Sequence, residues 1–322
     1  MAHRVLVSDK LAPEAVKVFE GDSGFSVDVK TGLSPEAQRE IIGDYEALIV
    51  RSATKVDRAF VEAAKKLRIV VRAGIGVDNV DVNACTEAGI LVENTPRGNA
   101  VSAAEHAIAL LFALARKIPQ ADATTKSGKW EKSKFMGVEL GGKTLGVVGT
   151  GNIGAIVCNR ARGLGMQVVA FDPALTEERA HELLVEKVTL DELLARADAV
   201  SLHVPLLPAT RGLIGKEALA KMKKGALLVN ASRGGVVDEQ AVVAALDAGQ
   251  LWGAAFDVFE TEPIGKDHPF LGRDDVILTP HLGASTEDAQ VRVGIEAAEQ
   301  VIAYLARGEI MNNVNRPGQT ES

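Results

Sequence analysis

The sequence predicts an α/β protein built from two doubly wound parallel sheets, and three observations support this prediction. Short apolar runs alternate with amphipathic stretches through nearly all of the 322 residues. The apolar runs after residue 144 are almost continuous, which is typical of strands buried on both faces of a parallel sheet. The chain is long enough for two domains of roughly 100–200 residues each, and alternating strands and helices favour right-handed β–α–β units.

The first half of the chain holds five candidate strands. They are "RVLVSD" (4–9), "FSVDV" (25–29), "ALIVR" (47–51), "RIVVRA" (68–73) and "ILVENT" (90–95). A long helical pattern follows at 99–118, and its surface is apolar on nearly all sides over 107–115. We therefore expect this helix to be buried on most sides, between domains or between subunits. A polar segment rich in lysine comes next, at 126–134.

The second half holds a separate series of candidate strands. They are "TLGVVG" (144–149), "QVVAFD" (167–172), "AVSLHV" (199–204), "ALLVNA" (226–231), "GAAFDV" (253–258) and "VILTP" (276–280). These six strands match a complete dinucleotide-binding sheet. The closing stretch, 285–308, predicts one more long helix.

Composition argues against several classes of partner. The net charge of −7 and the pI near 5.5 disfavour a nucleic-acid binder, which usually carries a basic face. Cys85 and Cys158 have neither metal-ligand spacing nor a disulfide framework, and without a secretory leader they indicate free thiols in a reducing compartment. The longest apolar run, 107–115, is too short to span a membrane. We expect a cytoplasmic protein with no nucleic-acid, membrane or metal partner.

The stretch "VVGTGNIG" predicts a dinucleotide site. Gly149, Gly151 and Gly154 form the G-x-G-x-x-G pattern between a buried strand and a helix. In that pattern the glycines permit a tight turn, a close approach of the pyrophosphate to the backbone, and close packing of helix on strand. Amides at the helix start, at Asn152 and Ile153, would then face the phosphates. A glycine-rich turn without a ligand is the alternative.

The second strand of this series predicts the choice of cofactor. It ends in Asp172, 18 residues after Gly154. The carboxylate can accept hydrogen bonds from both ribose hydroxyls, and its charge would repel a 2′-phosphate. The pattern therefore favours NAD over NADP, bound by a Rossmann-like domain.

Reactive side chains follow the later strands of this series, where ligands of doubly wound sheets bind. A histidine suits proton transfer in hydride exchange between an alcohol and NAD, and a neighbouring carboxylate would raise its pKa. An arginine can hold a substrate carboxylate with paired donors. The candidates are His203, Ser232, Arg233, Asp257, Glu260, Glu262 and His281.

Among these candidates, the two histidines can be ranked. His281 directly follows a buried strand and is the better base, whereas His203 can satisfy local hydrogen bonds. The acidic residues cannot be ranked from pattern alone, and a solvated acidic loop remains their alternative. Arginine, glutamate and histidine together suit a 2-hydroxy acid as substrate.

Four motifs resemble a known family. "VGTGNIG", "NASRGGVVDE", "FDVFETEP" and "TPHLGAST", in this order and spacing, are similar to the NAD-dependent D-2-hydroxyacid dehydrogenases, and the likeness covers residues 4 to about 316. The resemblance implies that Arg233 binds the substrate's carboxylate and carbonyl oxygen, that Glu262 and His281 form the acid–base pair, and that Asp257 lies near the nicotinamide. The further cofactor positions that it implies are Ile75, Val204, Ala231, Ser232 and Gly283, and it places Arg233 and His281 beside the cofactor as well as the substrate.

Other segments narrow the implied substrate to a phosphorylated 2-hydroxy acid. Residues 72–81, 94–110 and 128–149 are most similar to family members that oxidise 3-phospho-D-glycerate to 3-phosphohydroxypyruvate, the first step of phosphorylated serine biosynthesis. The resemblance implies phosphate binding at Arg51 and Ser52, and carboxylate binding by amides around Ile75 and Gly76. It leaves open three further roles: Arg72 binds substrate or is structural, Asn99 binds substrate or caps the long helix, and Lys132 and Lys134 add charge or form a solvated face.

The resemblance also implies the domain plan. A discontinuous, flavodoxin-like substrate domain would comprise about 1–97 and 285–322, with the NAD-binding domain inserted at 98–284 and an active-site cleft between them. A homodimer would form through the helix at 99–118. Many such relatives continue into a regulatory domain that senses serine, whereas this chain ends at "NNVNRPGQTES". It would be a short form without that domain, or a chain shortened before it.

Two other functions stay open at this point. The chain could be another 2-hydroxyacid reductase that acts on glyoxylate or hydroxypyruvate. It could also be an NAD-sensing co-repressor that uses this fold to bind protein partners.

Overall fold

The computed structural model describes residues 2–318 and divides the chain into two compact units. One unit comprises Met1–Ala100 and Ala284–Ser322, and the other comprises Val101–Gly283. Residues 1 and 319–322, which the sequence assigns to the first domain, lie outside the described residues.

The first unit is built on a five-stranded sheet in which every pair is parallel. Its order is β2-β1-β3-β4-β5, the flavodoxin-like order. The central strand β3 is buried throughout, because helices cover both faces of the sheet. The strands are β1 (His3–Val7), β2 (Phe25–Val29), β3 (Ala47–Val50), β4 (Ile69–Arg72) and β5 (Leu91–Asn94).

Five helices complete the described part of the first unit, and side chains fix where four of them begin. Ser34, Asp57, Asp81 and Thr286 each accept a backbone N–H at the start of a helix, which satisfies a donor that has no partner inside the helix. The helices are α1 (Pro13–Lys17), α2 (Pro35–Ile42), α3 (Arg58–Ala63), α4 (Val82–Glu87) and α12 (Glu287–Arg307).

The long helix α12 packs closely on α1 at Gly294. A Cβ atom added to Gly294 would lie 2.7 Å from the Cβ of Ala15, which is closer than two carbon atoms can approach. The predicted closing helix is confirmed, and this contact explains why its sequence places a glycine in mid-helix despite the cost to helix propensity.

The outer edge of β5 is covered by residues 311–315. The carboxylate of Glu93 accepts the N–H groups of Met311 at 2.7 Å and Asn312 at 3.2 Å, and the N–H of Val314 donates to the carbonyl of Val92 at 2.7 Å. Burial raises the pKa of Glu93, and the two amide donors oppose that shift. The edge strand is therefore paired with the chain's own C-terminal segment.

The second unit is built on a seven-stranded sheet, again wholly parallel, in the order β12-β11-β10-β9-β6-β7-β8. Six of the strands lie where the sequence predicts them. The sequence predicted six strands and missed the seventh, β8, because β8 consists of two exposed, charged residues and has no apolar pattern. The strands are β6 (Thr144–Val148), β7 (Gln167–Phe171), β8 (Glu186–Lys187), β9 (Ala199–Leu202), β10 (Ala226–Asn230), β11 (Leu251–Phe256) and β12 (Val276–Leu278).

The predicted helix at 99–118 is confirmed as a helix at Ala100–Arg116, and a second helix, Ile118–Lys126, follows it directly. The first ends at Arg116, Lys117 adopts a left-handed φ of 52°, and the second carries a proline in its first turn, which suits a helix start. The first helix buries Leu110, Leu111 and Leu114, whereas Ala109 is exposed in a single chain, so burial of this helix between subunits stays a prediction. Lysines predicted to lie in one polar segment fall partly on the second helix and partly on a 3-10 turn.

In this unit the helices between residues 152 and 247 separate successive strands of the sheet, and two helices and a 3-10 turn precede its first strand. The helices are α5 (Ala100–Arg116), α6 (Ile118–Lys126), α7 (Asn152–Gly163), α8 (Glu177–Leu183), α9 (Leu190–Arg196), α10 (Lys216–Lys221) and α11 (Glu239–Asp247), with a 3-10 turn at Lys132–Phe135. Within residues 2–318, no helix combines the length and the apolar character that crossing a membrane would require.

We predict that Gly294→Ala lowers the free energy of unfolding by about 1–3 kcal/mol, because the added methyl group overlaps Ala15 in a packed interface. Urea unfolding followed by circular dichroism measures this change. Gly163→Ala is the matched control, since Gly163 lies in α7 with open space around it and should be neutral or stabilising by up to about 1 kcal/mol. Equal effects of the two substitutions would contradict the packing explanation.

Candidate functional site

The glycine turn between β6 and α7 has the shape that a dinucleotide needs. Gly149 has a φ of 91°, and a Cβ there would lie 2.5 Å from the carbonyl oxygen of His203. A Cβ on Gly154 would overlap the carbonyl oxygen of Gly149, so helix and turn can meet only at a glycine. Gly151 has open space above it, which leaves its backbone accessible to a ligand. The N-terminus of α7, at Asn152 and Ile153, follows directly.

Asp172 follows β7 and binds this same turn. Its Oδ2 accepts the N–H of Thr150 at 2.7 Å and the Thr150 hydroxyl at 3.1 Å, and its Oδ1 accepts the N–H of Ala174 at 2.8 Å. Three donors within the protein therefore hold the carboxylate of Asp172 beside the glycine turn.

The turn after β10 presents Arg233. Asn230 holds this turn, because its Oδ1 accepts the N–H and the hydroxyl of Ser232 at 3.1 and 2.8 Å while its Nδ2 donates to the carbonyl of Arg233 at 3.0 Å. A Cβ on Gly234 would overlap the carbonyl oxygen of Phe259, so this turn lies directly against the loop after β11. The half-buried Arg233 donates from Nη1 to the carbonyl of Ser232 at 2.7 Å.

Asp257, at the end of β11, shapes the loop that carries His281. Its carboxylate is 1% exposed and accepts the N–H groups of Leu282 at 2.7 Å and Gly283 at 2.9 Å. Its backbone carbonyl accepts the N–H of His281, whose φ of 56° is rarely adopted outside glycine. Asp257 therefore fixes an unusual backbone at the residue expected to do the chemistry.

His106 on α5 completes the surroundings of Asp257. Its Nε2 lies 3.1 Å from Asp257 Oδ1, and the hydroxyl of Thr279 donates to the same oxygen at 2.6 Å. Burial opposes ionisation of Asp257, but hydrogen bonds from His106, Thr279 and the Leu282 amide outweigh it and lower the pKa of the carboxyl. Sequence reasoning missed this role of Asp257 and His106, since nothing in the spacing of the two residues signals contact.

Glu262 and His281 form a close pair. Glu262 Oε2 lies 2.7 Å from His281 Nδ1, and Glu262 Oε1 accepts the N–H of Phe259 at 3.0 Å. Burial opposes ionisation of Glu262, but the hydrogen bonds from His281 and Phe259 lower its pKa overall. An ionised Glu262 requires a proton on Nδ1, which directs Nε2 away from the carboxylate. The exposed Glu260 instead lies 3.7 Å from Arg211, so contact with His281 distinguishes Glu262 from it.

The other positions predicted in this unit lie around the same sheet edge. Val204 follows β9, and its Cγ1 would be 2.8 Å from a Cβ on Gly149. Ala231 directly follows β10 and is buried. The ring of His203 is 2.8 Å from the Ser201 hydroxyl, and desolvation lowers the pKa of His203 to about 4. A neutral His203 with a local partner fits the structural role and not the acid–base one.

In the first unit, most of the predicted residues lie on turns after β3 and β4. Arg51 and Ser52 begin the turn after β3; burial lowers the pKa of the Arg51 guanidinium, and Asp9 opposes this shift. Arg72 ends β4, and its guanidinium lies over Gly74, where a Cβ would collide with it. Ile75, whose carbonyl accepts from Asn94 at 2.6 Å, and the adjoining Gly76 also follow β4, whereas Asn99 follows β5.

Asn99 does not cap the long helix. Its Oδ1 is buried and has no hydrogen-bond partner among residues 2–318, whereas a cap would accept an N–H of the helix. Of the two roles that the sequence left open for Asn99, the capping role is therefore wrong.

Residues 108–283 match the family model described as "D-isomer specific 2-hydroxyacid dehydrogenase, NAD binding domain". This match covers more than half of the chain. The chain belongs to the D-isomer-specific 2-hydroxyacid dehydrogenases. Its Gly149–Gly154 turn lies inside the matched region and fits the NAD that this domain binds.

Individual members of the family are also similar to the chain. A D-3-phosphoglycerate dehydrogenase of Archaeoglobus fulgidus is 49% identical over 98% of this chain, which spans only 59% of that relative. A glyoxylate reductase from Paecilomyes thermophila is 30% identical, with a TM-score of 0.88 over 97% of this chain and 98% of that one. An NAD⁺-bound 3-phosphoglycerate dehydrogenase of Entamoeba histolytica is 30% identical, with a TM-score of 0.83 over 98% of this chain and 99% of that one.

We predict that Asp172→Asn weakens NAD binding by about tenfold, because a hydrogen bond to a charged acceptor is lost and the glycine turn loosens. Discrimination against NADP should fall as well, since the charge that repels a 2′-phosphate is gone. Calorimetric titration with each nucleotide measures both effects.

Asp198→Asn is the matched control for this substitution. Asp198 also accepts a backbone N–H, from Thr144 at 2.8 Å, but it lies before β9, at the opposite edge of the sheet. An equal loss of NAD affinity in both variants would contradict a specific role for Asp172.

Proposed function

We propose that this chain catalyses the NAD-dependent oxidation of 3-phospho-D-glycerate to 3-phosphohydroxypyruvate, the first step of phosphorylated serine biosynthesis. The observation that carries the proposal is the 2.7 Å pairing of Glu262 with His281, on the same sheet edge as the Arg233 turn. Family membership supports the reaction class. The relatives named D-3-phosphoglycerate dehydrogenase, at 46–50% identity, support the substrate.

The proposed roles follow from the chemistry of each side chain. His281 Nε2 accepts the proton of the substrate's C2 hydroxyl, and Glu262 stabilises the imidazolium that forms. Arg233 binds the carboxylate and the developing carbonyl oxygen with donors that keep their charge. NAD, when bound by the glycine turn, supplies the hydride acceptor. Asp257 keeps the His281 loop in place, next to the proposed nicotinamide position.

We assign substrate binding to the first domain, about 1–97 and 285–322, and NAD binding to 98–284. Arg51 and Ser52 bind the phosphate in this proposal, and amides around Ile75 and Gly76 bind the carboxylate, as glycine-rich turns can. Asn99 supports this assignment through its buried, unpartnered Oδ1, which could accept from a ligand hydroxyl. Arg72 supports it through its position over Gly74, at the end of β4.

We further propose a homodimer formed around α5, the helix at 100–116. The support is a set of large apolar side chains that are exposed in a single chain near this helix, namely Val101, Ile118, Trp130 and Met136. A cytoplasmic location is part of the same proposal, and its support is the presence of two buried free thiols, Cys85 and Cys158.

A glyoxylate or hydroxypyruvate reductase is the second candidate. The structural likeness to a glyoxylate reductase, with a TM-score of 0.88, favours it. The two candidates differ in whether the acceptor site needs a phosphate group.

We predict that His281→Ala lowers kcat by about 10²–10⁴-fold while NAD affinity stays within about twofold, because proton transfer is lost and the glycine turn is untouched. Stopped-flow NADH formation and NAD titration measure the two quantities. His181→Ala, an exposed histidine on α8, is the control and should retain full turnover. Unimpaired turnover of His281→Ala would exclude this residue as the acid–base group.

We predict that the wild-type chain prefers 3-phospho-D-glycerate over D-glycerate, and that Arg51→Ala removes most of this preference. The loss of one charge-assisted contact should reduce kcat/KM for the phosphorylated acid by about tenfold or more. A panel of 2-hydroxy and 2-keto acids, with and without phosphate, measures it by NADH absorbance. An equal effect of Arg51→Ala on both acids would remove the phosphate assignment and favour the reductase.

A further inference from the structure

The turn at 51–54, which follows β3, is built around the carboxylate of Asp9. Asp9 Oδ2 accepts the N–H groups of Arg51 at 2.7 Å, Ala53 at 3.2 Å and Thr54 at 3.2 Å. Asp9 Oδ1 accepts the Thr54 hydroxyl at 2.7 Å. The Asp9 side chain is 5% exposed, so a buried negative charge is balanced by four donors from one turn.

The same turn is held from its other side by Asn79. The carboxamide Nδ2 of Asn79 donates to the carbonyl of Arg51 at 2.8 Å and to the carbonyl of Thr54 at 2.7 Å. Backbone amides of the turn therefore donate to Asp9, and the carbonyls of its first and last residues, Arg51 and Thr54, accept from Asn79. Two side chains together fix the backbone from which the Arg51 and Ser52 side chains project.

Buried neighbours brace Thr54, the end of the turn. Its hydroxyl lies 2.9 Å from the Ser8 hydroxyl and accepts from Gln38 Nε2 at 3.3 Å. Ser8 and Gln38 are buried themselves, so the network has little access to solvent. A fully satisfied buried network of this kind holds one backbone arrangement, because each alternative leaves a donor or acceptor unpaired.

We infer that Asp9 is a positioning residue for substrate phosphate, acting through the backbone of the turn at 51–54. This inference rests on the proposed function, in which Arg51 and Ser52 bind that phosphate. Asp9 accepts hydrogen bonds from the amides of Arg51, Ala53 and Thr54. In the described chain it accepts none from the amide of Ser52. The Arg51 and Ser52 side chains, which bind the anion in this inference, project from this fixed turn, and the Arg51 guanidinium also donates from Nη1 to the carbonyl of Lys10 at 3.3 Å.

Asp9→Ala tests the inference by removing all four acceptor bonds. We expect KM for 3-phospho-D-glycerate to rise by about tenfold or more, with kcat changed by less than about threefold. We expect kcat/KM for D-glycerate and the Kd for NAD to change by less than about threefold. A role in folding alone would alter all of these quantities together.

The matched control is Asp57→Ala in the same unit. Asp57 also accepts a backbone N–H, from Phe60 at 2.8 Å, but it caps α3 and contacts none of the turn at 51–54 in the described chain. It should leave both KM values unchanged. If Asp9→Ala does not fold, Asn79→Ala replaces it, since it releases the two carbonyls of the same turn and should raise the same KM.

A double-mutant cycle with Arg51→Ala separates action through the turn from an independent effect. In the Arg51→Ala background, the tenfold effect of Asp9→Ala should shrink to less than about threefold. If the effects of the two substitutions on KM simply multiplied, the inference would be overturned. An equal loss of kcat/KM for 3-phospho-D-glycerate and D-glycerate in Asp9→Ala would also overturn it.

The same measurements separate this inference from the proposed function. If Arg51→Ala removes the preference for the phosphorylated acid and Asp9→Ala keeps it, the inference alone fails. If the wild-type chain shows no such preference, the proposed function fails and the inference falls with it.

Discussion

The constraint on which the whole site depends is parallel strand pairing. Parallel strands all end at one edge of a sheet, so residues that follow different strands come together however far apart they lie in sequence. In the second unit every strand pair is parallel, so the carboxyl ends of all seven strands lie at the same edge of the sheet. The groups brought to this edge are the Gly149–Gly154 turn, Asp172, Arg233, Asp257 and His281.

Side-chain oxygens that accept backbone amides then give each loop at this edge its shape. Asp257 holds the His281 loop, Asn230 holds the Arg233 turn, and Asp172 holds the glycine turn. A loop has few backbone partners of its own, and an unpaired buried amide costs about 1–3 kcal/mol. Side chains that accept hydrogen bonds from such amides therefore stabilise one loop conformation. Because the loop is fixed, the reactive groups that it carries are fixed as well.

Sequence reasoning predicted the features that depend on local pattern. Apolar runs located all but one strand, and the glycine spacing located the dinucleotide turn. It missed β8, whose two charged residues pair without any apolar signal, and the second helix, Ile118–Lys126, which begins after Lys117. Pattern alone could not choose among Asp257, Glu260 and Glu262, and only the family resemblance implied Glu262, because the choice depends on which carboxylate reaches His281. Contacts of that kind follow from loop geometry, which spacing does not encode.

The pairing of residues 311–315 with β5 has a consequence for synthesis on the ribosome. The amide of Val92 donates to the side chain of Asn315, which is made 223 residues later, and helix α12 likewise follows the second unit in sequence. At about 5–20 residues per second, this interval lasts roughly 10–45 s. Until then the first sheet has an open edge, and open edges can pair with other chains. The edge strand β5 of the nascent chain is therefore covered by residues that are made only after the whole of the second unit, 101–283.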